Sequence, residues 1–386
     1  MAQGGRSLSR WAVTAGLVWL AALWAVALAS TRIAPWLKGP HAWPYDLAQR
    51  VTPLARWDSG WYVSIAEAGY QGVPWWPAEE TNHAFFPLYP LLMRLLVRTT
   101  GVETTLAGNI VSALCTVAAL PFFAAWVERR WGRWRAKCAV LLMLAFPTAF
   151  FFGAVYTEGL FLLLAMLALT AIDLEKPRLA ILSGVLAGLT RITSMAIAPL
   201  LFLLAYQKRR SDGASVSQAL KRAALVGLTP VLGFALFCLY FQWKFGDPFL
   251  FVRSQHSWAK EDKSILTGPR LILRDVKRDI KSGKVLRNSP ARTLEGVYLL
   301  LFGGLAAALA AKRRWAESLY IAGILGMVVL TGTLESSGRY VLPAFPGFVA
   351  LAGLARDRAH LKALVGVSAA LQACYVWAFV HWFWAG

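Results

Sequence analysis

The chain has 386 residues, of which 58% are hydrophobic and only 16% are charged, and its mean hydropathy is +0.51. These values exclude an ordinary soluble domain of this length. The net charge is +20, and because the basic residues fall in loops between apolar runs, anionic lipid head groups fit this charge better than nucleic acid does. The sequence therefore predicts an all-α polytopic membrane protein, with one integral membrane domain over residues 1–386.

The first apolar run extends from Trp11 to Ser30 and follows Arg6 and Arg10. A bilayer is crossed by roughly 20 apolar residues, so this run is long enough to span it. No small-residue cleavage site followed by a polar mature domain is visible, which favours a retained anchor over a cleaved signal peptide. The basic residues before the run place the N-terminus in the cytoplasm.

Further apolar runs follow almost to the end of the chain, and they predict about 11 transmembrane helices in all. Those runs begin near Thr105, Cys138, Tyr156, Leu179, Ser194, Ala223, Thr293, Ser318, Tyr340 and Ala363. The stretch from Leu179 to Tyr206 is interrupted at "LTRITS", where Arg191 lies among polar residues, so it predicts a helical hairpin. Basic loops alternate with the runs as expected for a cytoplasmic N-terminus, and an odd number of spans places the C-terminus outside.

Two long segments fall on the predicted outer side of the membrane. Residues 32–103 form the first extracytoplasmic loop, which contains helical sequence, and residues 244–292 form a strongly basic extracytoplasmic loop. Most polar side chains that could do chemistry lie in these segments or at predicted outer helix ends. A transporter would instead place ionisable groups near the bilayer midplane, on discontinuous helices repeated in two halves. The distribution favours a membrane enzyme; a lipid or sugar transporter or flippase, and a non-catalytic membrane partner, remain open.

A one-sided extracytoplasmic site restricts the chemistry. Nucleotide sugars and ATP are scarce outside the cytoplasm, so a donor group has to arrive attached to a lipid, with its phosphate held by Arg or Lys. A phosphate leaves without a proton, so sugar transfer from such a donor needs one carboxylate as general base and fixed positive charge at the departing phosphate. Asp58, close to Arg56 in "LARWDSGWYVSIAEAGY", is the candidate base.

Several segments resemble the GPI mannosyltransferase II (PIG-V-like) family. They are "RWDSGWYVSIAEAGY" and "NHAFFPLYPLL" in the first loop, "FFGAVYTEGLFLLLA" at 151–165, "GLTRITSMAIAP" at 188–199 and "SSGRYVLPAFP" at 336–346. The resemblance implies a GT-C-like inverting glycosyltransferase that uses polyprenyl-phosphate mannose and no cofactor, with Asp58 as the catalytic residue. Its arginine-tryptophan-aspartate triplet falls on Arg56, Trp57 and Asp58, and His83 precedes its Phe-Phe-Pro segment.

The acceptor does not follow from this resemblance. High Ala, Arg and Trp usage is typical of a bacterial plasma-membrane protein, and bacteria generally lack GPI anchors. The expected partners are therefore the lipid-linked donor, an unidentified hydroxyl acceptor and membrane lipids.

Each candidate residue also has a structural interpretation. Asp58 is placed to be the N-cap of a helix that starts at Ser59 and stops at Gly69, although no capping box supports it. Trp57 fits either an interfacial anchor or a sugar-stacking surface. His83 fits a sugar pocket, a partner that orients Asp58, or a structural role. Glu158 fits a helix cap or a contact to an acceptor hydroxyl.

The remaining candidates are cationic or amphipathic residues at predicted outer helix ends. Arg191 and Arg339 are the candidate phosphate ligands, because an arginine beside apolar sequence needs an anionic partner. Gln255 and Trp258 are candidate substrate contacts just past an outer helix end. The histidines and cysteines show no metal-ligand spacing, so no metal is predicted.

Overall fold

The computed structural model describes residues 2–33, 52–70, 81–257, 270, 272–274, 277, 290–330 and 334–383. This part of the chain folds into helices. Helices α1 to α8 are Ala2–Ile33, Ser59–Ala68, Leu88–Thr100, Thr104–Trp131, Arg133–Ala145, Glu158–Asp173, Pro177–Gly188 and Ile197–Ser211. Helices α9 to α16 are Val216–Gly227, Thr229–Phe245, Leu250–Ser257, Pro290–Ala311, Trp315–Leu330, Ser337–Tyr340, Phe345–Ala352 and Arg358–Val380. Short 3-10 turns occupy Asn82–Ala84, Ala149–Phe152 and Ile192–Ala196.

Among the described residues, five helical segments are long and apolar enough to cross a membrane, and two shorter apolar helices accompany them. The five are Ser7–Ile33, Thr104–Trp131, Val216–Phe245, Leu294–Ala311 and Arg358–Val380, and the shorter two are Pro177–Gly188 and Trp315–Leu330. The prediction of an all-α polytopic membrane protein is confirmed. Other predicted runs form shorter helices: Glu158 begins the 16-residue helix α6, and Arg191 lies in the break between α7 and α8.

The interruption predicted at "LTRITS" is present. Helix α7 ends at Gly188, Arg191 has an extended backbone, and α8 starts at Ile197 after a 3-10 turn. Arg191 pairs with Glu158 at the start of α6, whereas Lys208 near the end of α8 pairs with Glu175 just beyond the end of α6. Helix α8 therefore runs in the same direction as α6, and α7, which lies between them in the sequence, runs in the opposite direction. The predicted helical hairpin thus has its turn at Arg191.

Glycines allow α7 and α10 to cross at backbone contact. A Cβ atom on Gly188 would lie 2.1 Å from the carbonyl oxygen of Pro230, and one on Gly233 would lie 2.0 Å from that of Val185. Small residues commonly permit such close approaches between membrane helices. The "GVLAG" segment thus serves helix packing, which fixes the end of α7 three residues before Arg191.

Most buried apolar side chains form one core between the helices. It contains the aromatic run Phe150, Phe151 and Phe152, which is fully or almost fully buried. Large apolar side chains on the outer faces are instead exposed, for example Leu114 on α4 and Leu239 on α10 at 66% and 63%. Exposed apolar surface of this kind suits contact with lipid chains. The chain is therefore an integral membrane protein with a packed interior and a lipid-facing exterior.

Candidate active site

Asp58 lies at the N-terminal end of α2, where the sequence placed it. Helix α2 begins at Ser59 and stops at Gly69, whose φ of 83° is easily adopted by glycine. The Asp58 carboxylate makes no capping hydrogen bond to this helix. Instead, its Oδ2 accepts a hydrogen bond from Nη1 of Arg339 at 2.5 Å. The helix-cap interpretation thus accounts for the position of Asp58 in the chain and not for the direction of its side chain.

The backbone before Asp58 is held in an unusual conformation. Trp57 has a φ of 55°, which is rare for a bulky non-glycine residue and has to be maintained by its surroundings. The adjacent peptide is fixed because the Ser59 hydroxyl accepts a hydrogen bond from the Arg56 backbone amide at 3.1 Å. Trp57 itself packs edge-on against Trp382, with ring centroids 5.8 Å apart. This turn aims the Asp58 carboxylate into the bundle.

Arg339 reaches Asp58 from the short helix α14, which follows Ser336 with a φ of 66°. The preceding residue, Gly338, is held at both of its backbone polar atoms. Its N–H donates to Oε2 of Glu295 on α12, and its carbonyl accepts from the Thr148 hydroxyl at 2.7 Å. Glu295 is 2% exposed, so the protein keeps a carboxylate inside the bundle to hold this peptide. Arg339 is therefore positioned by two further elements.

A second ion pair lies beside the first. Nη1 of Arg191 donates to Oε1 of Glu158 at 2.8 Å, and Nε of Arg339 lies 3.9 Å from the same oxygen. The four side chains Asp58, Glu158, Arg191 and Arg339 are between 1% and 12% exposed. We call these four residues the charge cluster. Burying charges is costly unless they are paired, and here two carboxylates meet two guanidinium groups.

Parts of the charge cluster still lack hydrogen bonds to the protein. Among the described residues, Oε2 of Glu158, Nε of Arg191 and Nε of Arg339 are buried atoms without a hydrogen-bond partner. Buried polar atoms are normally satisfied, so unsatisfied ones at the same place suggest a site that is completed by a ligand or by water. The cluster thus keeps guanidinium donors available to an anion.

Aromatic rings surround the arginines of the cluster. The Arg339 guanidinium lies 5.2 Å from the ring centroid of Tyr156 and equally far from that of Tyr340, and Arg191 lies 5.8 Å from Tyr340. The Tyr156 hydroxyl donates to the carbonyl oxygen of Arg56 at 3.1 Å. These rings stabilise the cations through cation-π contacts and limit the directions in which their side chains can turn.

Arg56 belongs to the support of the site. Its guanidinium donates to the carbonyl oxygens of Thr52, Ala55 and Val380 at 2.7 to 3.2 Å, and it lies 5.2 Å from the ring of Trp382. Its side chain thus ties residues 52–55 of the first loop to the end of α16. Although Arg56 is only two residues from Asp58, the cation hydrogen-bonded to the Asp58 carboxylate comes from far along the chain.

His83 lies in an aromatic cluster next to α10. Its Nδ1 is 2.6 Å from the Thr81 hydroxyl, and its ring packs edge-on against Phe245 at 4.9 Å and parallel to Tyr70 at 6.2 Å. Burial, helped by the positive charge of Lys244, lowers the pKa of His83 from 6.5 to about 4. His83 is therefore neutral at physiological pH, and its Nε2 is buried without a hydrogen-bond partner among the described residues.

Two candidate substrate contacts, Gln255 and Trp258, fall where a described part of the chain ends. Gln255 falls within α11, but its side chain lies outside the described part of the structure, as does all of Trp258. The neighbouring Ser254 is described, and its hydroxyl is 2.9 Å from that of Thr81. Helix α11 thus packs beside the His83 turn.

The positive charge of the site is provided by arginine. In the described ranges, no three His, Cys, Asp or Glu side chains are grouped as metal ligands. Asp58 and Glu158 each pair with a guanidinium group. In the described part of the cluster, the positive charge is therefore that of Arg191 and Arg339.

Sequence reasoning missed three residues that shape the site. Glu295 is an acidic residue inside an apolar run, which is by itself a signal of a functional position in a membrane protein. Tyr156 and Tyr340 each lie within two residues of a member of the charge cluster, but a tyrosine in apolar sequence is not distinctive. Their importance is visible only from the contacts with Arg339.

Comparison with known proteins adds independent findings. Residues 6–242 match the family described as mannosyltransferase (PIG-V). No curated protein matches the chain. Among solved structures, ArnT from Cupriavidus metallidurans bound to undecaprenyl phosphate is similar with a TM-score of 0.51 and 14% identity, covering 94% of this chain. The oligosaccharyltransferase from Archaeoglobus fulgidus, in complex with zinc and sulfate, has a TM-score of 0.47 and 13% identity, covering 94% of this chain and 53% of its own.

This chain spans 64% of the length of the ArnT protein. At 14% identity the likeness to ArnT shows the fold, and the GT-C-like fold class predicted from the sequence is confirmed.

Proposed function

The chain belongs to the mannosyltransferase (PIG-V) family, and from this premise and the site geometry we propose that it is a lipid-dependent glycosyltransferase. It transfers a sugar, mannose by family, from a polyprenyl-phosphate donor to an acceptor hydroxyl on the extracytoplasmic side, with inversion. The observation that carries the proposal is the buried charge cluster, which combines a carboxylate for proton transfer with two arginines that retain free donors. The ArnT neighbour, bound to undecaprenyl phosphate, supports a donor of this chemical type.

In the proposed reaction the acceptor oxygen forms a bond to the anomeric carbon while the bond from that carbon to the phosphate oxygen breaks. Asp58 takes the proton from the attacking hydroxyl, which is the role of a general base. The polyprenyl phosphate leaves with the bonding electron pair. Arg191 and Arg339 hold the resulting negative charge, and fixed donors of this kind stabilise charge that develops in the transition state.

Glu158 has a different role in this proposal. Its Oε1 is 2.8 Å from Arg191 and 3.9 Å from Arg339, so it holds both guanidinium groups on one side of the cluster. Without such a carboxylate the two cations would repel each other. Glu158 therefore keeps the phosphate-binding pair assembled before the donor enters.

The proposed binding of phosphate also gives a role to the ion pair between Asp58 and Arg339. The guanidinium neutralises the buried carboxylate at 2.5 Å. When a phosphate accepts hydrogen bonds from Arg339, the carboxylate loses part of this interaction and becomes a better proton acceptor. Donor binding would thus prepare the base.

The first experiment compares wild type with Asp58→Asn, which keeps the size of the side chain but removes the base. The purified protein is incubated with labelled polyprenyl-phosphate mannose and a membrane-lipid extract, and transfer to extracted lipid, polymer or protein is measured. Asp357→Asn is the matched control, because Asp357 is an exposed helix cap and Asn caps equally well.

Transfer by wild type and by the control, with a loss of about a hundredfold or more in Asp58→Asn, is the expected result. Equal transfer by Asp58→Asn would remove Asp58 as the base. If no transfer occurs and the protein, reconstituted in vesicles, moves labelled donor unchanged across their bilayer, a transporter is favoured instead.

A further inference from the structure

A cavity of about 250 Å³ lies at the opposite end of α6 and α8 from the charge cluster. It is enclosed by the ends of α6 and α8, the start of α7 and one face of α9. Its charged lining residues are Glu175, Lys208, Arg209 and Arg222. About 15 residues of α6 separate Glu158 from this end, which corresponds to roughly 22 Å along the helix. The cavity is therefore separate from the proposed site of sugar transfer.

The walls of the cavity carry an excess of positive charge. Lys208 lies 2.7 Å from Asp212 and 3.3 Å from Glu175, and Arg209 lies 3.5 Å from Glu175. These two carboxylates balance two of the three cations. Arg222 lines the cavity and forms no hydrogen bond or ion pair with any residue that the structure describes, so these side chains leave one net positive charge.

Arg222 also lies one residue before the apolar run that begins near Ala223. It is part of the apolar segment Val216–Phe245, which is long enough to cross a bilayer. Exposed leucines lie close in sequence to lining residues: Leu225 precedes Val226 and is 52% exposed, and Leu182 follows Ala180 by two residues and is 55% exposed. An arginine in such a segment needs an anionic partner or access to the head-group layer. Here lipid chains can run along the leucines while a head group meets Arg222.

We propose that this cavity binds the phosphodiester head group of an anionic glycerophospholipid. A phosphodiester carries one negative charge, which matches the single uncompensated cation of the cavity. The volume is below the roughly 300–1,000 Å³ of pockets that enclose a whole drug-sized ligand, as expected when only the head group enters. Basic pockets between membrane helices are known to hold anionic head groups in this way.

The test measures lipid binding directly and does not depend on sugar transfer. Delipidated full-length protein in neutral detergent is titrated with phosphatidylglycerol or phosphatidylcholine, and bound lipid is counted by native mass spectrometry. Arg222→Gln removes the uncompensated cation. Lys221→Gln is the matched control, because Lys221 is the preceding residue on α9, is exposed, and does not line the cavity. Inorganic phosphate at equal ionic strength is tested as a competitor of the lipid.

The expected result is one phosphatidylglycerol bound in preference to phosphatidylcholine. The affinity for phosphatidylglycerol should fall at least about tenfold in Arg222→Gln, because a charge-assisted hydrogen bond is lost. It should stay unchanged in Lys221→Gln. Arg209→Gln provides a second variant that will fold, since its ion pair is solvent-exposed, and it should weaken binding in the same direction. Equal binding by wild type, Arg222→Gln and Arg209→Gln, or an equal loss in Lys221→Gln, would overturn the proposal. Displacement of the lipid by inorganic phosphate at similar concentration would show a site for a free anion and not for a lipid.

Discussion

Replacing Arg339 by Gln should destabilise the protein more than replacing its partner Asp58 by Asn. Two unit charges 2.5 Å apart interact by about 7 kcal/mol at an effective dielectric constant of 20. Desolvation of both groups offsets most of this energy when the pair forms. Removing one partner leaves the other charge buried and unpaired, and such losses are typically about 3–5 kcal/mol. We expect a loss of this size for Arg339→Gln.

The structure predicts an asymmetry between the two partners. In the described part of the chain, Arg339 is the cation that is ion-paired with Asp58, so Arg339→Gln leaves that carboxylate without a counter-charge. Asp58→Asn leaves Arg339 beside Glu158, 3.9 Å away. Asp58→Asn should therefore cost less. The double variant removes both charges of the pair. Its loss of stability should be smaller than the sum of the two single losses by about 1–3 kcal/mol.

The assay is thermal unfolding in one detergent, followed by tryptophan fluorescence, with the double-mutant cycle measured side by side. Arg129→Gln is the control, because its ion pair with Asp173 is partly exposed and should contribute less than about 1 kcal/mol. The reasoning is refuted if Arg339→Gln is no less stable than Asp58→Asn, or if the two losses simply add.

Three further predictions test other parts of the structure. Gly188→Ala should destabilise the protein by about 1–3 kcal/mol, since its Cβ would meet backbone atoms of α10. Gly366→Ala is the control: its Cβ would have nothing within 4 Å, so the variant should be neutral or slightly stabilising in the same unfolding assay. Burial lowers the pKa of His83 from 6.5 in the unfolded chain to about 4, so the unfolded chain takes up the proton first and stability should fall as the pH drops through this range. The variant His83→Gln should flatten this dependence on pH, and an unchanged slope would contradict the prediction. Glu295→Leu removes the acceptor of the Gly338 amide and should lower kcat for sugar transfer about tenfold or more, with little change in acceptor KM. Glu295→Gln keeps an acceptor oxygen and should retain most activity. Equal loss in both variants would mean that the charge of Glu295 matters and not its hydrogen bond.

Local sequence determined a large part of the fold. Apolar composition and run length predicted an integral membrane protein of helices, because backbone groups in a bilayer have to be satisfied within the helix itself. The start of α2 at Ser59, its stop at Gly69 and the break at Arg191 were all visible as local signals. Such features depend on a few neighbouring residues, so no knowledge of distant contacts was needed.

The candidate site was predicted only as a set of separate residues. Asp58, Glu158, Arg191 and Arg339 were each identified, but their pairing was not. Arg56, two residues from Asp58, was the obvious partner from the sequence, yet its guanidinium donates to carbonyl oxygens, one of them at Val380. The cation that pairs with Asp58 is 281 residues away.

The sequence by itself thus determined the class of protein, the positions of helix ends and breaks, and the chemical types of the site residues. The tertiary structure decided which charges meet, which arginine supports the fold, and that Glu295 holds the peptide before Arg339. The physical reason is range. Hydrophobic run length and capping act over one or two helical turns, whereas the pairing of buried charges depends on helix packing, which brings together side chains from opposite ends of the chain.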